Sequence, residues 1–227
     1  MPWGLNECRK ATRRRGPTGS KRDVSRPKDR VFRLRGWVGI GILVPMGLVV
    51  ILTRPRVAEE TAEALALHAA GWIFLAAGLA FRLSSILFIG GRKGETLVRD
   101  GPYRACRNPL YVGSFLLAVS AALFLHSLTL LAGVGLLAAY YLLAVIPAEE
   151  RQLSGLFPEA WGRYARSVPR VFPRKSPLPG EGRVEVDLRA LRNESLRALG
   201  AMAIPLAAEV LNHFRAGAWW FTSWTLP

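Results

Sequence analysis

From Val112 to Ile146 the chain contains no Asp, Glu, Lys or Arg, and only His126-Ser127 interrupts its apolar character. In lipid, backbone polar groups must be satisfied within each crossing segment, so the run can only be a pair of helices, Val112–Leu125 and Leu128–Ile146. A hairpin through a bilayer returns both its ends to the same face. One end carries Gly101-Pro-Tyr-Arg-Ala-Cys-Arg-Asn-Pro-Leu-Tyr-Val-Gly113; the other carries Pro147-Ala-Glu-Glu-Arg-Gln-Leu153. The hairpin therefore brings a loop rich in arginine and tyrosine against a glutamate pair. That makes a polar site at the edge of a membrane.

Two further apolar segments precede the hairpin, Trp37–Leu52 and Leu65–Ile89, the latter with Arg82 as its only charge. A crossing helix takes about 20 residues, so the first and third segments are short and rely on snorkelling flanks or local thinning. The expected fold is all-α, an integral membrane helical bundle with about four transmembrane helices. Residues 1–36 form a basic cytoplasmic tail, 37–175 a transmembrane core, and 176–227 a linker followed by polar and interfacial or transmembrane C-terminal helices.

Charge placement gives the orientation. The net charge is +15, yet half the residues are apolar and the two properties are segregated. Met1–Gly36 holds twelve Lys or Arg against three acids, with Phe32 the one aromatic residue among its basic clusters. This pattern suits anionic lipid headgroups and argues against a nucleic-acid partner. By the positive-inside rule the tail lies inside and Thr53–Ala64, with two arginines and three glutamates, lies outside. Gly90–Leu110 has five basic residues and two acids, so it returns inside, and everything after Pro147 follows it there. The N-terminal charged region is too long for a secretory signal. Cys8 and Cys106 form no disulfide framework, and the three histidines lack ligand spacing, so no metal site is expected.

Glycines recur in these segments: Gly36, Gly39, Gly41 and Gly47, then Gly71 and Gly78, then Gly133 and Gly135. None follows a strand in a nucleotide-binding unit, so they read as places where helices approach closely. Pro173–Pro179 reads as a linker. Val184–Leu199 alternates acids and bases like a solvated helix. Ala198–Phe214 is apolar around Pro205 and Glu209 and is expected to lie in the interface, with a fifth span as the alternative. The cluster Trp219–Trp224 suits headgroup depth.

Within the inner loop, Arg99, Arg104 and Arg107 provide fixed cations for a carboxylate or phosphate. Pro102 and Pro109 restrict the backbone, Gly101 allows a tight turn, and Tyr103, Tyr111 and Asn108 offer hydrogen-bonding groups. Carboxylates at a membrane boundary are costly to desolvate without a cation, which makes Glu149 and Glu150 candidates for holding an amine or another cationic group. Arg151 is a neighbouring candidate for a ligand contact.

These motifs resemble the isoprenylcysteine carboxyl methyltransferase and phospholipid methyltransferase family. The resemblance runs from Glu95-Thr-Leu-Val-Arg-Asp-Gly-Pro-Tyr103 through Arg107-Asn-Pro-Leu-Tyr111 and Glu149-Glu150 to Tyr164 and Val168–Pro173. It covers roughly a third of the chain, and its specificity lies in the order and spacing of the motifs around a helix pair. It implies a membrane enzyme that takes S-adenosylmethionine at its cytosolic face and a lipid-like or prenylated acceptor from the bilayer. It further implies that Glu95, Thr96, Leu97, Val98, Tyr103, Asn108, Pro109, Leu110 and Tyr111 line the cofactor, and that Glu149 and Glu150 bind its polar end. Arg107 and Glu149 are then the expected catalytic residues.

The family's Arg-His-Pro reads Arg107-Asn108-Pro109 here, and asparagine cannot carry charge. Prenylcysteine enzymes also place an arginine about a turn before the acidic pair, where this chain has Ala144-Val-Ile146. Arg151, Tyr164 and Arg170 are therefore the substrate-binding candidates, or the acceptor is a different lipid; O- and N-methylation both stay open. Sterol reductases that use NADPH resemble the same layout, and a non-enzymatic protein binding anionic lipid is the third reading. Loss of ligand binding on Glu149→Gln and Glu150→Gln separates the enzyme from the last of these.

Overall fold

The computed structural model of the chain describes residues 30–53, 57, 61–90, 96–174 and 186–217, with side chains from Leu34 onward. Glu95, Pro177, Pro179, the basic tail before Arg30 and the Trp219–Trp224 cluster lie outside the described residues. All regular structure among the described residues is helical. The first helix, α1, spans Arg30–Leu52, α2 spans Ala62–Ile89, and α4, Pro109–Phe124, follows a single turn α3 at Pro102–Ala105. Leu34–Leu52, Ala62–Ile89 and Leu128–Leu156 are each long and apolar enough to cross a membrane, and α4 is a shorter apolar helix. The bundle expected from the sequence is present. Its first helix begins at Arg30, so residues 30–36 belong to α1 and not to the tail.

The α2 and α4 helices pack antiparallel, and glycine makes the approach possible. A Cβ on Gly78 would stand 3.0 Å from the Gly113 carbonyl, and one on Gly113 would stand 2.9 Å from the Gly78 carbonyl. Gly71 lies under the Phe124 ring and Gly133 under Met46 of α1. By contrast, Gly36, Gly39, Gly41, Gly47 and Gly135 have no neighbour within 4 Å of a Cβ position. The expected packing role therefore holds for Gly71, Gly78 and Gly133. Gly113 joins them, and the α1 glycines face open space instead.

The last apolar segment does not end before Pro147. Helix α5, Leu128–Tyr140, passes through a π-helical turn at Tyr141–Val145 into α6, Ile146–Leu156. The amide of Ile146 donates to the carbonyl of Tyr141, five residues back. Proline brings no N–H and crowds the preceding turn, and a widened turn accommodates it without breaking the helix. The following short helix, α7, spans Pro158–Ser167.

The C-terminal helices pack against the bundle. Helix α8, Leu188–Ala201, and α9, Ile204–Ala216, run along the bundle from one end to the other. Asp187 and Ala190 lie beside Gly90 at one end. Midway, Ala208 joins Leu75 and Phe124 in a buried apolar cluster. At the far end Asn212 Nδ2 donates to the Phe124 carbonyl at 2.8 Å, and Arg215 Nε donates to the Thr53 carbonyl at 2.7 Å. Glu194 is buried against Arg82 of α2, which draws a helix that reads as solvated onto the bundle flank. The polar residues Glu194, Asn212 and Arg215 supply the inward attachments that hold it there.

Candidate functional site

The site is built at the end of the bundle where α3, α6 and α7 meet. Gly101 has φ +57, a conformation in which glycine is favoured, and a Cβ there would collide with the Phe88 ring. This turn sets Tyr103 into the interior, where the Tyr164 hydroxyl donates to its carbonyl at 2.8 Å. Burial pushes both phenols well above their ordinary pKa and raises the thiol of fully buried Cys106 to about 11. These three groups stay protonated and neutral at physiological pH.

Arg107 is the knot of the loop. Its amide donates to the Pro169 carbonyl at 2.9 Å. Its Nη1 donates to the Ala165 carbonyl at 3.0 Å, and its Nη2 pairs with Glu150 Oε1 at the same distance. The guanidinium also lies 5.6 Å from the centroid of the Trp161 ring, a cation–π contact. Arg170 clamps the same carboxylate with both Nε, at 3.2 Å, and Nη2, at 2.7 Å. Asn108 Nδ2 donates to the Arg170 carbonyl at 2.9 Å, which ties the loop to the segment after α7. Glu150 thus sits between two arginines.

Glu149, one residue earlier, has different surroundings. Its Oε1 accepts from the Tyr111 hydroxyl at 2.7 Å and from Arg35 Nη1 of α1 at 3.5 Å. Above it, the Tyr141 ring makes edge contacts with Tyr111, at a centroid distance of 5.1 Å, and with Phe115, at 5.6 Å. The result is a partly desolvated carboxylate at the foot of an aromatic wall. Such an arrangement can hold an organic cation by charge and by ring faces together.

The phospholipid methyltransferase family profile matches residues 64–160, the stretch from α2 to the start of α7. Over 186 residues the chain is 33% identical to the nickel-cobalt-cadmium resistance protein NccN of Alcaligenes xylosoxydans xylosoxydans, covering 80% of this chain and 87% of that protein. The chain belongs to the phospholipid methyltransferase family. A second relative, the cobalt-zinc-cadmium resistance protein CzcN of Cupriavidus metallidurans, is 35% identical over 133 residues, 59% of this chain and 61% of that protein. No solved structure matches.

In this phospholipid methyltransferase family member the structure brings only some of the sequence candidates together. Tyr111 and Glu149 touch each other, as do Arg107, Glu150 and Arg170. Pro109 is buried at the first turn of α4, followed by half-buried Leu110. Thr96, Leu97 and Val98 form an irregular segment in which Leu97 packs on the Trp161, Tyr164 and Val168 cluster. Arg151 is exposed, and the Tyr164 hydroxyl is engaged by the Tyr103 backbone, so neither reaches the Glu149 carboxylate through a hydrogen bond. Sequence reasoning passed over Arg35, which it counted among the tail's basic residues, and Tyr141, which looked like one more apolar position. It also left Arg82 without a role. Arg82 donates to Ser114 Oγ at 2.5 Å, one turn along α4 from Tyr111.

Proposed function

We propose that the protein is a membrane-embedded methyltransferase that uses S-adenosylmethionine and acts on a lipid-like acceptor. The observation that carries this reading is the contrast within the acidic pair. Glu150 is neutralised by Arg107 and Arg170, whereas Glu149 meets the neutral Tyr111 hydroxyl and the longer-range Arg35 contact. A carboxylate so placed beneath Tyr111, Tyr141 and Phe115 fits the cofactor's ammonium and the cationic sulfur near it. When bound, the cofactor supplies an electrophilic sulfonium methyl group, which an acceptor lone pair takes as the carbon–sulfur bond breaks.

The chain's own residues position and exclude. Such a displacement needs alignment and a dry site more than it needs a strong base. The Arg107 network fixes the loop, the aromatic rings cover one side of the carboxylate, and the apolar flanks admit an acceptor from lipid. Basic residues cluster at the Arg107–Glu149 end, which by the positive-inside rule faces the cytoplasm. The two relatives are named for metal resistance, and methylation of a membrane acceptor, which rests on the family profile and not on those names, is the contribution we propose in that setting.

The test is calorimetric titration of detergent-purified protein with S-adenosylhomocysteine and, separately, NADPH, in wild type and Glu149→Gln. Saturable binding of the former, lost in the variant, is expected. Binding of NADPH alone would replace this reading with a reductase. Binding of neither by folded protein would leave an anionic-lipid-binding protein.

A further inference from the structure

Neither C-terminal helix is long enough to cross a bilayer alone, but together they match the length of a helix that is. The pair keeps an antiparallel register with α2 from end to end. Asp187 and Ala190 stand beside Gly90, Arg82 pairs with Glu194, and His68 Nε2 meets Glu209 Oε2 at 3.4 Å. As many residues separate Gly90 from His68 as separate Asp187 from Glu209, about 33 Å of helix. Helix α2 is long and apolar enough to span a membrane. A pair that follows it over this length meets the same two faces.

The surface of the pair suits lipid rather than water. Leu196, Leu199, Met202, Leu206, Val210 and Phe214 are 43–68% exposed, and their steps of three or four residues place them on one outward face. From first to last they cover about 27 Å, against about 30 Å of hydrocarbon in a bilayer. Glu194, Asn212 and Arg215 point the other way, only 1–2% exposed, and each is hydrogen-bonded. An apolar exterior over a satisfied polar interior is what a hydrocarbon solvent selects. No Asp, Glu, Lys or Arg occurs between Ala198 and Ala208, and the exposed Arg189, Arg192 and Arg197 all lie on the Gly90 side of that stretch. There they snorkel to headgroups at the same end as the arginines of the site.

We infer that α8 and α9 together form a fifth membrane crossing, with the Leu196–Phe214 face seated against acyl chains and the end of α9 on the face opposite the Glu149 site. This reverses the charge-based expectation that everything after Pro147 stays on the side of the site. At the far end Arg215 donates to the Thr53 carbonyl after α1 and to the Leu125 carbonyl after α4, so one buried cation joins the ends of three crossings. At the near end Arg82, held by Glu194, donates to Ser114 one turn from Tyr111, so the crossing also braces the site.

The test uses the full chain, with Cys8→Ser leaving buried Cys106 as its one native thiol. Glu159→Cys, exposed on α7, and Ala216→Cys, exposed at the end of α9, are treated separately with a membrane-impermeant maleimide in sealed and in opened spheroplasts. One position is expected to label in sealed spheroplasts and the other only after opening. Any other pattern would overturn the crossing. Leu206→Cys carrying a nitroxide, in protein reconstituted into lipid nanodiscs, identifies what covers the outward face. Frequent collisions with oxygen and rare ones with a water-soluble nickel chelate are expected of a residue among acyl chains. Frequent collisions with the chelate would show a helix in water. Rare collisions with both would show a face covered by protein, such as a second copy, and either result overturns the assignment to lipid.

Discussion

Arg82 Nε donates to Glu194 Oε1 at 2.5 Å across 112 positions of sequence, joining α2 to α8. Glu194 is 2% exposed, and removing Arg82 leaves its buried charge with only the exposed Arg197, 3.3 Å away, as a charged partner. Removing one member of a buried pair costs about 3–5 kcal/mol, whereas replacing both by apolar residues is often neutral. Arg82→Met should therefore lower the melting midpoint of the detergent-solubilised protein sharply. Arg82→Met with Glu194→Leu should recover most of that loss. A double variant no better than the single one would show that α8 is held by other contacts.

Close approach of α2 and α4 makes Gly113 intolerant. A Cβ there would stand 2.7 Å from Arg82 Cγ and 2.9 Å from the Gly78 carbonyl, and the backbone atom cannot move aside cheaply. Overpacking of this kind costs about 1–3 kcal/mol, so Gly113→Ala should destabilise by that amount. Gly135, with nothing within 4 Å, is the control. Gly135→Ala should stay within about 0.5 kcal/mol of wild type, as a substitution in open surroundings does. Equal melting of the two variants would refute the packing argument.

The acidic pair should divide into a stability residue and a binding residue. Glu150→Gln leaves Arg107 and Arg170 without their shared carboxylate, and Arg107 is 12% exposed. A loss of about 3 kcal/mol is expected from breaking such a pair. Glu149→Gln keeps a hydrogen-bonding partner for Tyr111 and should change the melt by less than about 1 kcal/mol while abolishing cofactor affinity. Thermal melts and titration of both variants decide it. Similar melts for the two would remove the distinction.

Much of this architecture is legible without coordinates. The charge-free run from Val112 to Ile146 forces a helical hairpin, because lipid leaves backbone groups no other partner. The hairpin in turn forces Tyr111 and Glu149 to the same end, where the hydroxyl and carboxylate meet at 2.7 Å. Arg82 stood out as the lone charge of an apolar segment, but the sequence alone assigned it no role. Which partner it takes was not legible. Glu194 lies in a stretch whose alternating charges look solvated, and only its burial against α2 distinguishes it from Arg192 or Arg189.

The sequence by itself determined the number of apolar helices, the antiparallel hairpin and the meeting of an arginine-tyrosine loop with a glutamate pair. Local composition dictates these, because apolar length and the demand for satisfied backbone groups act along the chain. Tertiary structure decided which glutamate is clamped by Arg107 and Arg170 and which stands beside Arg35 and Tyr111. Adjacent residues on a helix point about 100° apart. The π turn before Pro147 shifts the register of everything after it, so the two carboxylates meet different elements. It also decided that α8 and α9 lie along the bundle, because Glu194, Asn212 and Arg215 find their partners on helices far away in sequence.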